Sequence, residues 1–164
     1  LGTARGASTK EAADIVRHAL NLGVNFIDTA AAYGTEPAVG LGIEGQRESV
    51  VISTKAAASG REGLRPVTEI VASLDNSLRQ LNTDYIDVFN LHGVTLYDYD
   101  HAVNAVVPEL HRQQQLGKIR YLGVTEAFIR DPGHDMLKKA LVDDLFDVVM
   151  VDIQNRVLDS HIGW

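Results

Sequence analysis

A chain of 164 residues is the size of one domain, and 45% hydrophobic with 23% charged residues is the composition of a folded globular protein, not of a disordered or fibrous one. The 15 Lys and Arg against 22 Asp and Glu leave a net charge of −7, which repels a phosphate backbone, so no nucleic-acid partner is expected. With no cysteine there is no disulfide framework, no thiolate nucleophile and no Cys-ligated zinc; with no leader pattern and no apolar run near the ~18 residues of a membrane span, a cytoplasmic protein without a membrane partner is expected.

Leu1-Gly2-Thr3 reads as the tail of an earlier strand. Ser8-Thr9-Lys10-Glu11 has capping-box spacing and opens a helix in which Ala12, Ile15, Val16, Ala19 and Leu20 share a face before Gly23 stops it. A strand follows over 24–28, a helix near 36–43 and a strand over 49–54. From about Pro66 a long helix carries Val67, Ile70, Val71, Leu74, Leu78 and Leu81 at a 3.6 period. The next strand is 85–91. A helix with Val103, Val106, Val107 and Leu110 is bent or restarted near Pro108 and ends at Gly117. Strands over 120–124 and 148–153 flank a helix around 135–142.

Strands starting near 24, 49, 85, 120 and 147 with helices between them give βα periodicity and a parallel sheet. The near-continuous apolar character of Val50-Val51-Ile52 and of 86–89 suits strands covered on both faces. No linker, low-complexity tract or charge run divides the chain, so one domain over 1–164 is expected. About six βα units are visible, whereas a closed eight-unit barrel takes ~200–250 residues, so the expected architecture is an α/β barrel that is incomplete in this chain.

Gly40-Leu41-Gly42-Ile43-Glu44-Gly45 spells the dinucleotide fingerprint, but no strand precedes it and a strand instead of a helix follows it, which excludes the Rossmann turn. His18, His101, His111, His134 and His161 lack paired ligand spacing, so no metal site is expected.

In a parallel barrel the chemistry collects where strands finish. Asp28 closes one strand, Tyr33 lies five residues on, Lys55 closes the next strand and His92 the one after. Singly these are a helix cap, a packing ring, a solvated lysine and a hydrogen-bonded histidine; jointly, at successive strand ends, they are a candidate site.

Phe26-Ile27-Asp28-Thr29-Ala30 through Tyr33-Gly34, Ile52-Ser53-Thr54-Lys55, Leu91-His92-Gly93 and Gly117-Lys118-Ile119-Arg120-Tyr121-Leu122-Gly123-Val124-Thr125 resemble the aldo-keto reductase family, over about residues 1–151. The resemblance implies a (β/α)8 TIM barrel, NADPH as cofactor with NADH possible, and a small aldehyde, ketone or sugar as substrate. It puts Asp28, Tyr33, Lys55 and His92 on the family's catalytic tetrad, and Thr3, Asp28, Thr125, Glu126 and Met150 along the cofactor. Two positions depart from the pattern: Thr125-Glu126 stands where the family usually carries Ser-Asn, and Met150 where it often carries Gln. A carboxylate can accept from the nicotinamide amide nitrogen but cannot donate to its oxygen. The family's basic residues for the adenosine phosphate belong to the last two βα units, beyond the sequence read here.

Hydride transfer to a carbonyl builds negative charge on oxygen, where a proton must arrive. Tyr33 is the expected acid, with the Lys55 ammonium stabilising its phenolate and lowering its pKa below ~10, Asp28 holding the lysine, and a neutral His92 orienting the carbonyl. A Schiff-base lyase using Lys55 is the second expectation, opposed by the adjacent Asp28, which favours the protonated amine. A noncatalytic cofactor-sensing barrel or an inactive fragment is the third.

Overall fold

The computed structural model describes residues 1–2, 6–60 and 63–151. Thr3 and the last residues of the strand expected over 148–153 lie outside them. The strands are β1 (Phe26–Asp28), β2 (Val51–Ala57), β3 (Ser59–Gly60), β4 (Gly63–Leu64), β5 (Ile86–Val94), β6 (Ile119–Glu126) and β7 (Val148–Met150). The helices are α1 (Thr9–Asn21), α2 (Glu36–Gly42), α3 (Val67–Leu81), α4 (Leu96–His101), α5 (Val107–Gln115) and α6 (Asp135–Asp143). A five-stranded sheet runs β1-β2-β5-β6-β7, every neighbour parallel, with a helix in each crossover. This is an open section of a (β/α)8 barrel, with five barrel strands among the described residues where the periodicity suggested about six units.

Fully buried Ile52, Phe89, Leu91, Leu122 and Val124 join Ile70, Leu74 and Leu110 of the helices in one apolar core. Alternation along a strand leaves the opposite face to the polar set Asp28, Ser53, Lys55, Asn90 and His92. Two strands run further than their apolar residues indicate. The ladder continues through Lys55↔Asn90 and Ala57↔His92, so Lys55 and His92 lie inside β2 and β5 instead of closing them. Between Leu91 and Val94 the pairing of β5 with β6 shifts at a bulge.

The expected capping box is present: Ser8 Oγ accepts from the Glu11 N–H at 3.2 Å and Glu11 Oε2 accepts from the Ser8 N–H at 2.8 Å. The buried face of α1 differs from the expected one, being Ala12, Ala13 and Val16, with Ile15 58% exposed. The reason is on α2, where a Cβ on Gly42 would stand 2.6 Å from Val16 Cβ and one on Gly40 would stand 2.7 Å from the Leu81 carbonyl oxygen. Glycine lets α2 seat between α1 and α3, and that close approach, not the largest apolar residue, sets the rotation of α1. The G-x-G-x-x-G text is thus a helix-packing device. The break expected near Pro108 is a π turn over Ala102–Val106 that leads straight into α5, and Pro108, which has no N–H to give to the helix, stands just past it.

The N-terminal end of the sheet is closed by charge. Buried Asp87 accepts from Arg47 Nη2 at 2.7 Å, Arg120 Nη1 at 2.8 Å and the Ile52 N–H at 2.9 Å. The Tyr85 ring lies between the two guanidinium groups, 3.9 Å and 4.1 Å from their carbons. Helices α4 and α6 are tied by fully buried Tyr99 of α4, whose hydroxyl donates to Asp143 Oδ2 of α6 at 3.0 Å.

Candidate active site

Register brings the expected residues together. Asp28 pairs with Ser53, Lys55 with Asn90 and Ala57 with His92, so period two stacks Ser53 and Lys55 on β2 beside Asn90 and His92 on β5. Lys55 is 2% exposed, and its ammonium donates to Asp28 Oδ2 at 2.5 Å and to the Thr29 carbonyl at 2.8 Å. The other carboxylate oxygen, Asp28 Oδ1, accepts from Ser53 Oγ at 2.8 Å. A 3-10 turn over Ala31–Tyr33 follows β1 and returns the half-buried Tyr33 over this pair, with Lys55 Nζ 5.3 Å from its ring centroid. His92 meets the same ring edge-on, centroids 5.8 Å apart at 87°. The four residues come from β1, the turn after it, β2 and β5.

The electrostatics correct one expectation. Tyr33 is raised above its ordinary value of 10, first by burial and then by the Asp28 charge; it is not lowered by Lys55. The lysine charge is committed to Asp28, and of the two partners it is the Asp28 anion that acts on the phenol. His92 is lowered below 6.5, first by burial, then by the Lys55 cation, with Asp28 opposing. Its imidazole is neutral at pH 7, the form that donates through one nitrogen and accepts through the other.

Behind the four residues runs a buried polar chain that the strand pattern could have disclosed, since an asparagine interrupts the apolar text Phe89-Asn90-Leu91. Asn90 Nδ2 donates to Ser53 Oγ at 3.0 Å and to the Thr54 carbonyl at 3.2 Å. Its Oδ1 is buried without a partner, facing Gly123 of β6, where a Cβ would stand 2.1 Å away.

Comparison with known proteins decides the family: the model described as the aldo/keto reductase family matches residues 1–162. The chain belongs to the aldo/keto reductase family. It is 34% identical to an L-galactose dehydrogenase of Arabidopsis thaliana over 122 residues, 70% of this chain and 38% of that protein. Among solved structures it is similar to the holo form of aldo-keto reductase AKR11C1 from Bacillus halodurans, at 29% identity and TM-score 0.73, over 93% of this chain and 53% of that one. It is also similar to a Bombyx mori aldo-keto reductase in complex with NADP, at 28% identity and TM-score 0.60, over 76% of this chain and 45% of that one. The chain spans about two fifths of that curated relative and about half of the solved chains.

The other positions expected along the cofactor of an aldo/keto reductase lie at the C-terminal ends of β6 and β7. Thr125 and Met150 are register partners, and Thr125 Oγ1 accepts from the Gly93 N–H at 2.8 Å, one residue beyond His92. The Glu126 carboxylate is buried, with His134 Nδ1 at 2.7 Å from its Oε2. Thr3 is outside the described residues.

Proposed function

We propose that this protein is an NAD(P)H-dependent oxidoreductase that reduces a small aldehyde, ketone or sugar carbonyl and, in reverse, oxidises the alcohol, with Tyr33 as general acid and base. The observation that carries this reading is the Lys55 ammonium, buried and clamped by Asp28 and the Thr29 carbonyl beneath a Tyr33 ring that His92 touches edge-on. The carbonyl oxygen sits between the Tyr33 hydroxyl and a neutral His92. His92 donates a hydrogen bond to that oxygen and orients it. As negative charge grows there, Tyr33 releases its proton to it, and the phenolate is reprotonated from solvent.

A bound nicotinamide supplies the hydride to the carbonyl carbon. The fit to that group rests on Thr125, whose oxygen already accepts from Gly93, so its own hydrogen is available to a carboxamide oxygen, while the Glu126 carboxylate beside it is buried against His134. Met150 adds an apolar wall beside Thr125. The name of the Bombyx mori neighbour, solved with NADP, supports NADPH as the cofactor, and the L-galactose dehydrogenase supports sugars among the substrates. Against a Schiff-base lyase, two of the three Lys55 N–H groups are engaged and the amine is buried.

Tyr33→Phe removes the proton donor while keeping the ring. NADPH oxidation with an aldehyde panel falls by ~10²-fold or more, with nicotinamide binding unchanged. Near-normal turnover by Tyr33→Phe overturns the role of Tyr33. Binding of NADPH by the unmodified protein without oxidation on any aldehyde favours the cofactor-sensing barrel.

A further inference from the structure

Beneath the four residues lies a set of hydrogen bonds whose direction is fixed by chemistry. The Thr54 carbonyl can only accept, so the Asn90 atom facing it at 3.2 Å is the amide nitrogen, and the same nitrogen faces Ser53 Oγ at 3.0 Å. Ser53 therefore receives a hydrogen from Asn90 and has one of its own to give, which goes to Asp28 Oδ1 at 2.8 Å. Asp28 thus accepts on both oxygens, from Ser53 on one and from Lys55 on the other. Ser53 and Asn90 are both wholly buried, so water does not stand in for either donor. The amide oxygen is spent on nothing: it lies unpartnered against Gly123. A buried asparagine that leaves one end unsatisfied is costly, and a leucine would fill an apolar strand without that cost. Its cost is offset only if the donated end does something.

We propose that Asn90 and Ser53 are positioning residues, a one-way hydrogen-bond chain from Asn90 through Ser53 to Asp28 that fixes the carboxylate so that its second oxygen holds the Lys55 ammonium beneath Tyr33. The catalytic consequence rests on the function proposed above; the mechanical one does not. Without Ser53 the carboxylate is free to rotate about its Cβ–Cγ bond, and the lysine loses a fixed partner. Neither residue touches substrate, so their removal lowers turnover and spares substrate binding.

The test has two arms. In the protein labelled with 15N-lysine, an immobilised buried ammonium gives a proton–nitrogen correlation that survives exchange with water, assigned to Lys55 by its loss in Lys55→Met. Ser53→Ala and, separately, Asn90→Ala broaden or abolish that signal while backbone amide spectra stay native; Ser53→Thr, which keeps the hydroxyl, retains it. An unchanged Lys55 signal in a folded Ser53→Ala or Asn90→Ala protein overturns the proposal, as does the absence of such a signal from the unmodified protein. If Asn90→Ala fails to fold, the two Ser53 variants decide. In the kinetic arm, Ser53→Ala lowers kcat for carbonyl reduction by about tenfold with KM little changed. The same change made in an Asp28→Ala background costs nothing further, because the chain then ends on no carboxylate. A full tenfold loss in that background overturns the chain. Failure of the unmodified protein to transfer hydride would refute the proposed function, and the lysine signal would still decide the positioning role.

Discussion

Tyr33 and His92 are shifted in opposite directions by the same first cause. Burial disfavours charge on both, and it raises the phenol and lowers the imidazole. The Lys55–Asp28 pair then adds two unequal contributions: Asp28 is the charge that acts on Tyr33, and Lys55 the stronger of the two on His92. Lys55→Met should therefore move the His92 NMR titration midpoint upward, toward 6.5, because the cation is gone and Asp28 remains. A midpoint that stays or falls would show the ammonium to be too far from the imidazole to matter. Asp28→Asn should shift the alkaline rise of alcohol oxidation to lower pH, since it removes the anion that disfavours phenolate. The depressed His92 value also sets a stability trend. The unfolded histidine takes up its proton near 6.5 and the folded one only at lower pH, so this contribution is whole above 6.5 and lost as pH falls through the folded value. The residue types are legible in the sequence because Asp28, Lys55 and His92 stand at the ends of apolar runs and Tyr33 in the loop after the first of them. The direction of the Tyr33 shift is not, because it depends on where the ammonium points.

Helix and strand order was read from periodicity alone, since each crossover is amphipathic and each strand apolar. Boundaries were not, and β2 and β5 show why: their final residues are polar on the interior face, so hydrophobic pattern ends before the hydrogen-bond ladder does. The hairpin of β3 and β4 carries too few residues to make a pattern. Pattern also says nothing of distance between helices, which is what Gly40 and Gly42 set. Gly40→Ala should cost about 1–3 kcal/mol by urea denaturation, because the obstacle is the Leu81 carbonyl oxygen, part of a backbone that cannot rotate away. An alanine tolerated there without loss would mean that α2 and α3 pack less closely than described. Ser53 and Asn90 give no signal of their own for a related reason: as strand residues they are merely unusual, and their partners come from neighbouring strands that register alone brings level.

Across the molecule, the candidate site and the charge cluster of Asp87 occupy opposite ends of the strands. Asp87 gathers two arginines and a main-chain N–H at the N-terminal end, far along β5 from His92. Asp87→Ala leaves both guanidinium groups and the Ile52 N–H without it, and should cost about 3–5 kcal/mol in urea. Nicotinamide binding by the protein that remains folded should be unchanged. An equal loss of binding affinity would show that the two ends are coupled. Among the described residues β1 pairs only with β2 and β7 only with β6, and Phe26 of β1 is 49% exposed.

The contact of Asn90 with Gly123 constrains the order in which this sequence can change. A Cβ at 123 would stand 2.1 Å from the amide oxygen, so any residue larger than glycine displaces the Asn90 side chain and with it the hydrogen bonds to Ser53 and Thr54. Loss of Asn90 first opens the space but, on the proposal above, unlocks the carboxylate that holds Lys55. Either first step is penalised, whereas the pair changed together need not be: Gly123→Ala should destabilise the protein far more than it does in an Asn90→Ala background. Two positions on neighbouring strands are thus bound into one heritable unit, and drift at either must wait for the other.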